Sequence, residues 1–208
     1  MFYETAKGDH GLPHNPFKAC VVPRPIGWIT SIDGEGRVNL APYSFFNAVA
    51  SDPPMVMFAT NGRKAGEGRD KDSLANVAET GAFVTNLVTW DLKEQMVLTS
   101  APLPHGEAEN DLAGLTLAPS RMIAPPRVAK APINLECKLW RIVELPGGAA
   151  GERNTMVLGE VVGVHIADGI IVDGLVNLSL CKPVARLGYL QYAAAETLFD
   201  MKRPPGGG

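Results

Sequence analysis

Three small groups of residues carry chemical potential in this chain: Thr30 and Ser31; Pro42, Tyr43, Ser44 and Asn47; and Lys71, Asp72 and Ser73. The first two groups put small hydroxyls, an amide and aromatic rings near strand ends, where backbone N–H groups are free to meet a ligand. That combination suits a planar heterocycle carrying a phosphate. The third group places a lysine just ahead of an expected helix. A helix N-terminus presents unpaired N–H groups and partial positive charge, and the lysine adds a full one. The residues alone favour a capped surface helix over a phosphate site, with Asp72 or Ser73 as the cap.

The elements around these groups read as β-structure. Arg24 to Ser31 is β-prone, and Asp33-Gly34-Glu35-Gly36 supplies a hairpin turn. Ile26, Trp28 and Thr30 face one way, and Gly27, Ile29 and Ser31 the other. Thr30 and Ser31 therefore cannot both reach one ligand through their side chains. Pro23 and Pro25 put the start of that strand on a sheet edge. A second strand is expected from Val38 until Asp52-Pro53-Pro54 stops it. Met55 to Thr60 is continuously apolar, as in a strand covered on both faces. Asn61 to Lys71 is a polar loop with Arg63, Lys64 and Arg69. The helix after it should bury Leu74, Val77 and Ala78 and end at Gly81.

Further along, Ala82 to Val88 reads as a strand, and Leu92, Met96 and Val97 share a helical face. Residues 101–112 form a polar loop that reads equally as a substrate lid or a solvated connector. Ile133, Leu135, Cys137 and Leu139 alternate with polar residues in a half-buried strand. The longest strand candidate runs from Met156 to Ile166, with Gly159 and Gly163 as bending points. His165 on it reads as a packed, hydrogen-bonded histidine, with a role near a nicotinamide or flavin as the alternative. Phe17 to Cys20 begins a strand pattern, and the tail from Arg203 is expected to be disordered.

With 208 residues and a net charge of −3, the chain is expected to form one domain without a nucleic-acid surface. No apolar run approaches the ~20 residues of a membrane helix. The start lacks a signal-peptide pattern, so a cytoplasmic protein is expected. Cys20, Cys137 and Cys181 are widely spaced and read as reduced core thiols. His10 and His14 have helical metal-ligand spacing, but Gly11 and Pro13 oppose a helix there. Dinucleotide-binding, P-loop and nucleophile-elbow motifs are absent.

Pro23-Arg24-Pro25-Ile26-Gly27-Trp28-Ile29-Thr30-Ser31, Gly36 to Phe46, Asp52-Pro53-Pro54 and Lys71-Asp72-Ser73-Leu74-Ala75-Asn76 together resemble the flavin reductase-like family. The resemblance runs from about Met1 to Tyr192, leaving 193–208 as a tail. It implies a mainly β fold, an antiparallel FMN-binding split β-barrel of Greek-key type with a few short helices. It also implies FMN, or FAD, as cofactor, and hydride from NADH or NADPH delivered to flavin N5. Electrons would pass to free flavin or another acceptor, including an oxygenase partner. Thr30, Ser31, Pro42, Tyr43, Ser44 and Asn47 would contact the flavin, and Lys71 and Ser73 its phosphate, with Asp72 orienting the loop. Arg63 could reach the same phosphate. The flavin would lie at a homodimer interface, and no side-chain acid or base is required because the flavin carries the chemistry. A flavoredoxin-like electron carrier and a pyridoxamine-phosphate-oxidase-like flavoprotein are the alternatives. Arg186-Leu187-Gly188-Tyr189 departs from the family's Arg-Leu-Gly-Gly at Tyr189.

Overall fold

The computed structural model describes residues 1–64, 67–147 and 152–204. Helix α1 (Phe17–Cys20) leads into β1 (Arg24–Pro25), β2 (Gly27–Ile32), β3 (Val38–Tyr43), β4 (Phe46–Ser51) and β5 (Pro54–Asn61). Helix α2 (Asp72–Thr80) and β6 (Ala82–Asn86) follow, then α3 (Lys93–Leu98), α4 (Glu109–Leu112), β7 (Leu117–Ala118) and β8 (Arg127–Val128). The long hairpin β9 (Ile133–Leu145) and β10 (Asn154–Ile166) precedes β11 (Ile171–Val172), β12 (Leu175–Val176), β13 (Val184–Arg186) and β14 (Tyr192–Ala194). No helix among the described residues is long and apolar enough to cross a membrane.

The main sheet is antiparallel, in the order β3-β2-β6-β9-β10-β5-β4. Its two end strands, β3 and β4, are joined by only Ser44 and Phe45. A connection that short between opposite ends of seven strands requires the sheet to curl, which makes it a split barrel. The Ala59 N–H donates to the Phe45 carbonyl at 2.8 Å, extending the β4–β5 ladder into this corner. This corner corrects the single strand expected from Val38 to Ser51: the hydrophobic pattern runs through it, while the backbone turns.

Both faces of β2 are buried, as the alternation requires. Trp28 packs with Ile26, Leu40, Leu92, Met96 and Val128 on one side. Ile29 packs with Tyr43, Phe58, Leu74, Val77 and Phe83 on the other. Ladder shifts at Leu158/Gly159 and Val161/Gly163 bend β10 where its glycines were expected to. A Cβ on Gly159 would stand 2.6 Å from the Phe83 ring. Pro25 lies on an edge strand of the small sheet β1-β13-β14.

Several local expectations need correction. Phe17–Cys20 is helical rather than extended. The buried Arg24 guanidinium gathers the carbonyls of Lys18, Val21 (2.5 Å) and Leu187 (2.9 Å), which requires a turned chain there. Only one face of β5 is buried, through Val56, Phe58 and Thr60; Met55, Met57 and Ala59 are half-buried. Ala78 and Val97 are exposed. Among the cysteines only Cys137 is buried; Cys20 is exposed and Cys181 half-buried.

Tyr189 adopts φ +54°, so the chain keeps the left-handed turn that a glycine favours and accepts a cost of about 1 kcal/mol for it. Pairing between β13 and β14 reaches Ala194, two residues beyond the expected domain end. Residues 205–208 of the expected disordered tail lie outside the described residues, as does Gly148 of the sequence Pro146-Gly147-Gly148, which reads as a loop.

Candidate functional site

The end of β3, the loop after β5, the start of α2 and the 99–109 segment enclose a cleft of about 270 Å³. Pro42, Tyr43, Lys71 and Asp72 line it together with Arg63, Lys64 and Glu109. Lys71 is the N-cap of α2, with extended backbone (φ −62°, ψ 143°) and no side-chain cap. This corrects the expectation that Asp72 or Ser73 caps the helix. Its carbonyl accepts from Leu74 and Ala75, so the first-turn N–H groups of Asp72 and Ser73 have no partner within the helix. Gly81 ends the helix in the left-handed conformation, its N–H bonded to Val77.

The charges around Asp72 are balanced, and Lys71 is left over. Lys64 Nζ lies 2.7 Å and Arg69 2.6 Å from the Asp72 carboxylate, and His105 Nδ1 approaches at 3.0 Å. Burial would raise the Asp72 carboxyl, but hydrogen bonds from Lys64, Arg69 and His105 outweigh it and hold the group below the usual carboxylate range. Arg63 donates to the Gly68 carbonyl at 2.5 Å. The Lys71 ammonium makes no hydrogen bond or ion pair among the described residues. Burial, with a smaller push from Lys18, lowers its ammonium pKa. A half-buried cation without a counter-ion, beside an uncapped helix start, favours an anion.

The remaining expected residues divide into two sets. Thr30, Ser31 and Ser73 are fully buried beneath the cleft. Thr30 accepts from Asn86 Nδ2 at 2.8 Å, and Ser31 from Asn76 Nδ2 at 3.2 Å. The Asn39 amide meets Ser73 Oγ at 2.8 Å. Turned so that its nitrogen donates to Glu109 Oε1 (3.2 Å), its oxygen accepts from the Ser73 hydroxyl. These hydroxyls support the walls of the cleft and do not line it. Ser44 lies at the β3–β4 corner, half-buried, and Asn47 is exposed on β4, its Oδ1 accepting from the Ala48 N–H (2.9 Å). Neither lines the cleft.

Sequence reading missed Glu109. The 101–112 segment is tied down: Glu109 is 7% exposed and its carboxylate accepts the Leu40 N–H at 2.9 Å. Burial raises the Glu109 carboxyl, and the nearby Asp72 adds to the rise against the Leu40 bond. Burial also pushes the Tyr43 phenol up to about 12, with Asp72 and Glu109 adding to it and a Ser73 hydrogen bond opposing, so Tyr43 stays neutral. An acid whose folded pKa is raised is penalised once pH exceeds the unfolded value and then the folded one. Glu109→Gln should therefore raise the melting temperature at pH 7 and leave it nearly unchanged at pH 4. A variant equally shifted at both pH values would refute that origin.

Known proteins share this architecture. Nitrilotriacetate monooxygenase component B from Bacillus cereus superposes with a TM-score of 0.87 at 30% identity, over 97% of this chain and 98% of that one. The 2-nitrobenzoate 2-nitroreductase of Pseudomonas fluorescens gives 0.84 at 30% identity, over 100% and 98%. A Shewanella frigidimarina protein with a split barrel domain gives 0.81 at 22% identity, over 98% and 100%, a likeness of fold alone. The model of the flavin reductase like domain matches residues 19–178. With its curled seven-stranded sheet and its cleft at Lys71, this chain belongs to the flavin reductase like domain family.

Proposed function

We propose that this protein is an FMN-binding oxidoreductase that takes reducing equivalents from NADH or NADPH and passes them to free flavin or another acceptor. The observation that carries the reading is Lys71: in a chain of this family, an uncompensated half-buried cation stands at an uncapped helix start in a cleft. Lys71 and the N–H groups of Asp72 and Ser73 would hold the flavin phosphate, with Arg63 reaching it by leaving Gly68. Asp72, pinned by Lys64, Arg69 and His105, fixes the loop that carries them. Pro42 and Tyr43 form the wall, and neutral Tyr43 brings no negative charge to it. When bound, a flavin would supply the two-electron chemistry, and the task of these residues would be to orient it and control access.

Thr30 and Ser31 act from below by fixing β2, and Ser44 and Asn47 would meet a ring that extends past the corner onto β4. Residues 47–51 of β4 are exposed. A second copy covering that strand would close the site, which is the reason for expecting a homodimer. The likeness to a monooxygenase component supports an oxygenase as acceptor, and the free thiols suit a cytoplasmic setting.

The test is an absorbance spectrum with added FMN and then NADH or NADPH under anaerobic conditions. Bleaching of a protein-bound flavin band at a catalytic rate is expected. Bound flavin that stays oxidised would make the protein a carrier, and no flavin binding would refute the reading. Light scattering should give twice the chain mass.

A further inference from the structure

A second polar cleft, of about 380 Å³, opens at the far end of β10. It lies on the strand row Pro42–Trp28–Asn86–Asn134–His165, four strand spacings from the wall of the first cleft. That is roughly 19 Å along the curved sheet. Arg121, Arg127, Asn134, His165 and Asp168 line it.

Two features of this cleft are unusual for a surface hollow. Glu136, 0% exposed, sits behind it with a saturated carboxylate. Its oxygens accept from the Arg121 N–H (2.8 Å), the Met122 N–H (2.7 Å) and His165 Nε2 (2.5 Å). An ionised carboxylate can only accept, so a His165 proton is on Nε2, and Nδ1 is the ring atom left to meet a ligand, as a donor to an anion when the ring carries its second proton. The second feature is cationic. Neither the Arg121 nor the Arg127 guanidinium makes a hydrogen bond or ion pair among the described residues, and Arg127 Nε is buried without a partner. Asp168 is the only acid among the lining residues.

Arg127 is half-buried and Arg121 exposed; a guanidinium is seldom left unpaired where solvent is partly excluded, and its planar fork matches carboxylate and phosphate oxygens. We propose that this cleft is a second small-molecule site that binds a phosphate or carboxylate group through Arg121 and Arg127, with His165, held by Glu136, as the positioned third contact. It is separate from the Lys71 cleft and does not depend on flavin binding there.

The four histidines of the chain make His165 a readable probe. Its ring resonance, assigned with His165→Gln, is followed by ¹H–¹³C NMR while inorganic phosphate or, separately, acetate is added against chloride of matched ionic strength. A saturable shift at His165 is expected. Arg127→Gln should weaken it by roughly tenfold or more, and Arg121→Gln should repeat the loss if the first variant fails to fold. Lys71→Gln should leave it unchanged. Saturation with phosphate alone or acetate alone identifies the anion. A non-saturating shift, an equal shift at His10 and His14, or undiminished binding in both folded arginine variants would overturn the proposal. So would a His165 shift that follows protein concentration without added anion, which would give the cleft to a second copy.

Discussion

Lys71→Gln is expected to raise the dissociation constant for FMN by roughly 10- to 100-fold, the loss of one charge-assisted contact worth about 1.5–3 kcal/mol. The variant should fold as well as the wild type, because Lys71 has no protein partner among the described residues and its charge resists burial. Relief of the push from Lys18 should if anything raise the melting temperature slightly. Arg63→Gln should cost less, since that guanidinium already spends a donor on Gly68. Flavin-fluorescence quenching titrations measure both. An unchanged constant for Lys71→Gln beside a normal wild-type titration would move the phosphate elsewhere, while FMN binding itself would stand.

Glu136→Ala should destabilise the fold by about 3–5 kcal/mol, because it removes the acceptor of three hydrogen bonds to a buried carboxylate. The variant strands two N–H groups, of Arg121 and Met122, and the His165 ring around a hole. Glu136→Gln keeps one acceptor oxygen and the volume, and should lose about 1–2 kcal/mol. Burial raises the Glu136 carboxyl, but the His165 bond and the two amide bonds lower it further, so the folded value lies below the unfolded one. The stabilisation is therefore complete above the ordinary carboxylate range and fades as pH falls through the folded value. Urea unfolding should show the gap between wild type and Glu136→Gln narrowing below roughly pH 4. An alanine variant within about 0.5 kcal/mol of wild type would show that the network carries little stability.

The residue order by itself determined the family and many of the local elements, though not the helix at Phe17–Cys20 or the corner at Ser44 and Phe45. Alternation assigned the two faces of β2, the glycines at 34 and 36 gave its turn, and Lys71 to Gly81 gave a helix with a lysine at its start. Each depends on neighbours within a few positions. Tertiary structure alone decided which polar residues are buried. Asn134 and Glu136 alternate with apolar residues as solvent-facing positions would, yet they are 1% and 0% exposed. Their partners, Asn86, Val128, Arg121 and Met122, come from other segments of the chain. The same holds for Thr30 and Ser31, whose hydroxyls meet Asn86 and Asn76 from distant segments. Glu109 became part of the site only because β3, 69 residues earlier, offered it the Leu40 N–H. A polar side chain looks the same in sequence whether water or a distant backbone satisfies it, and the choice is made when the sheet curls and closes at Ser44 and Phe45.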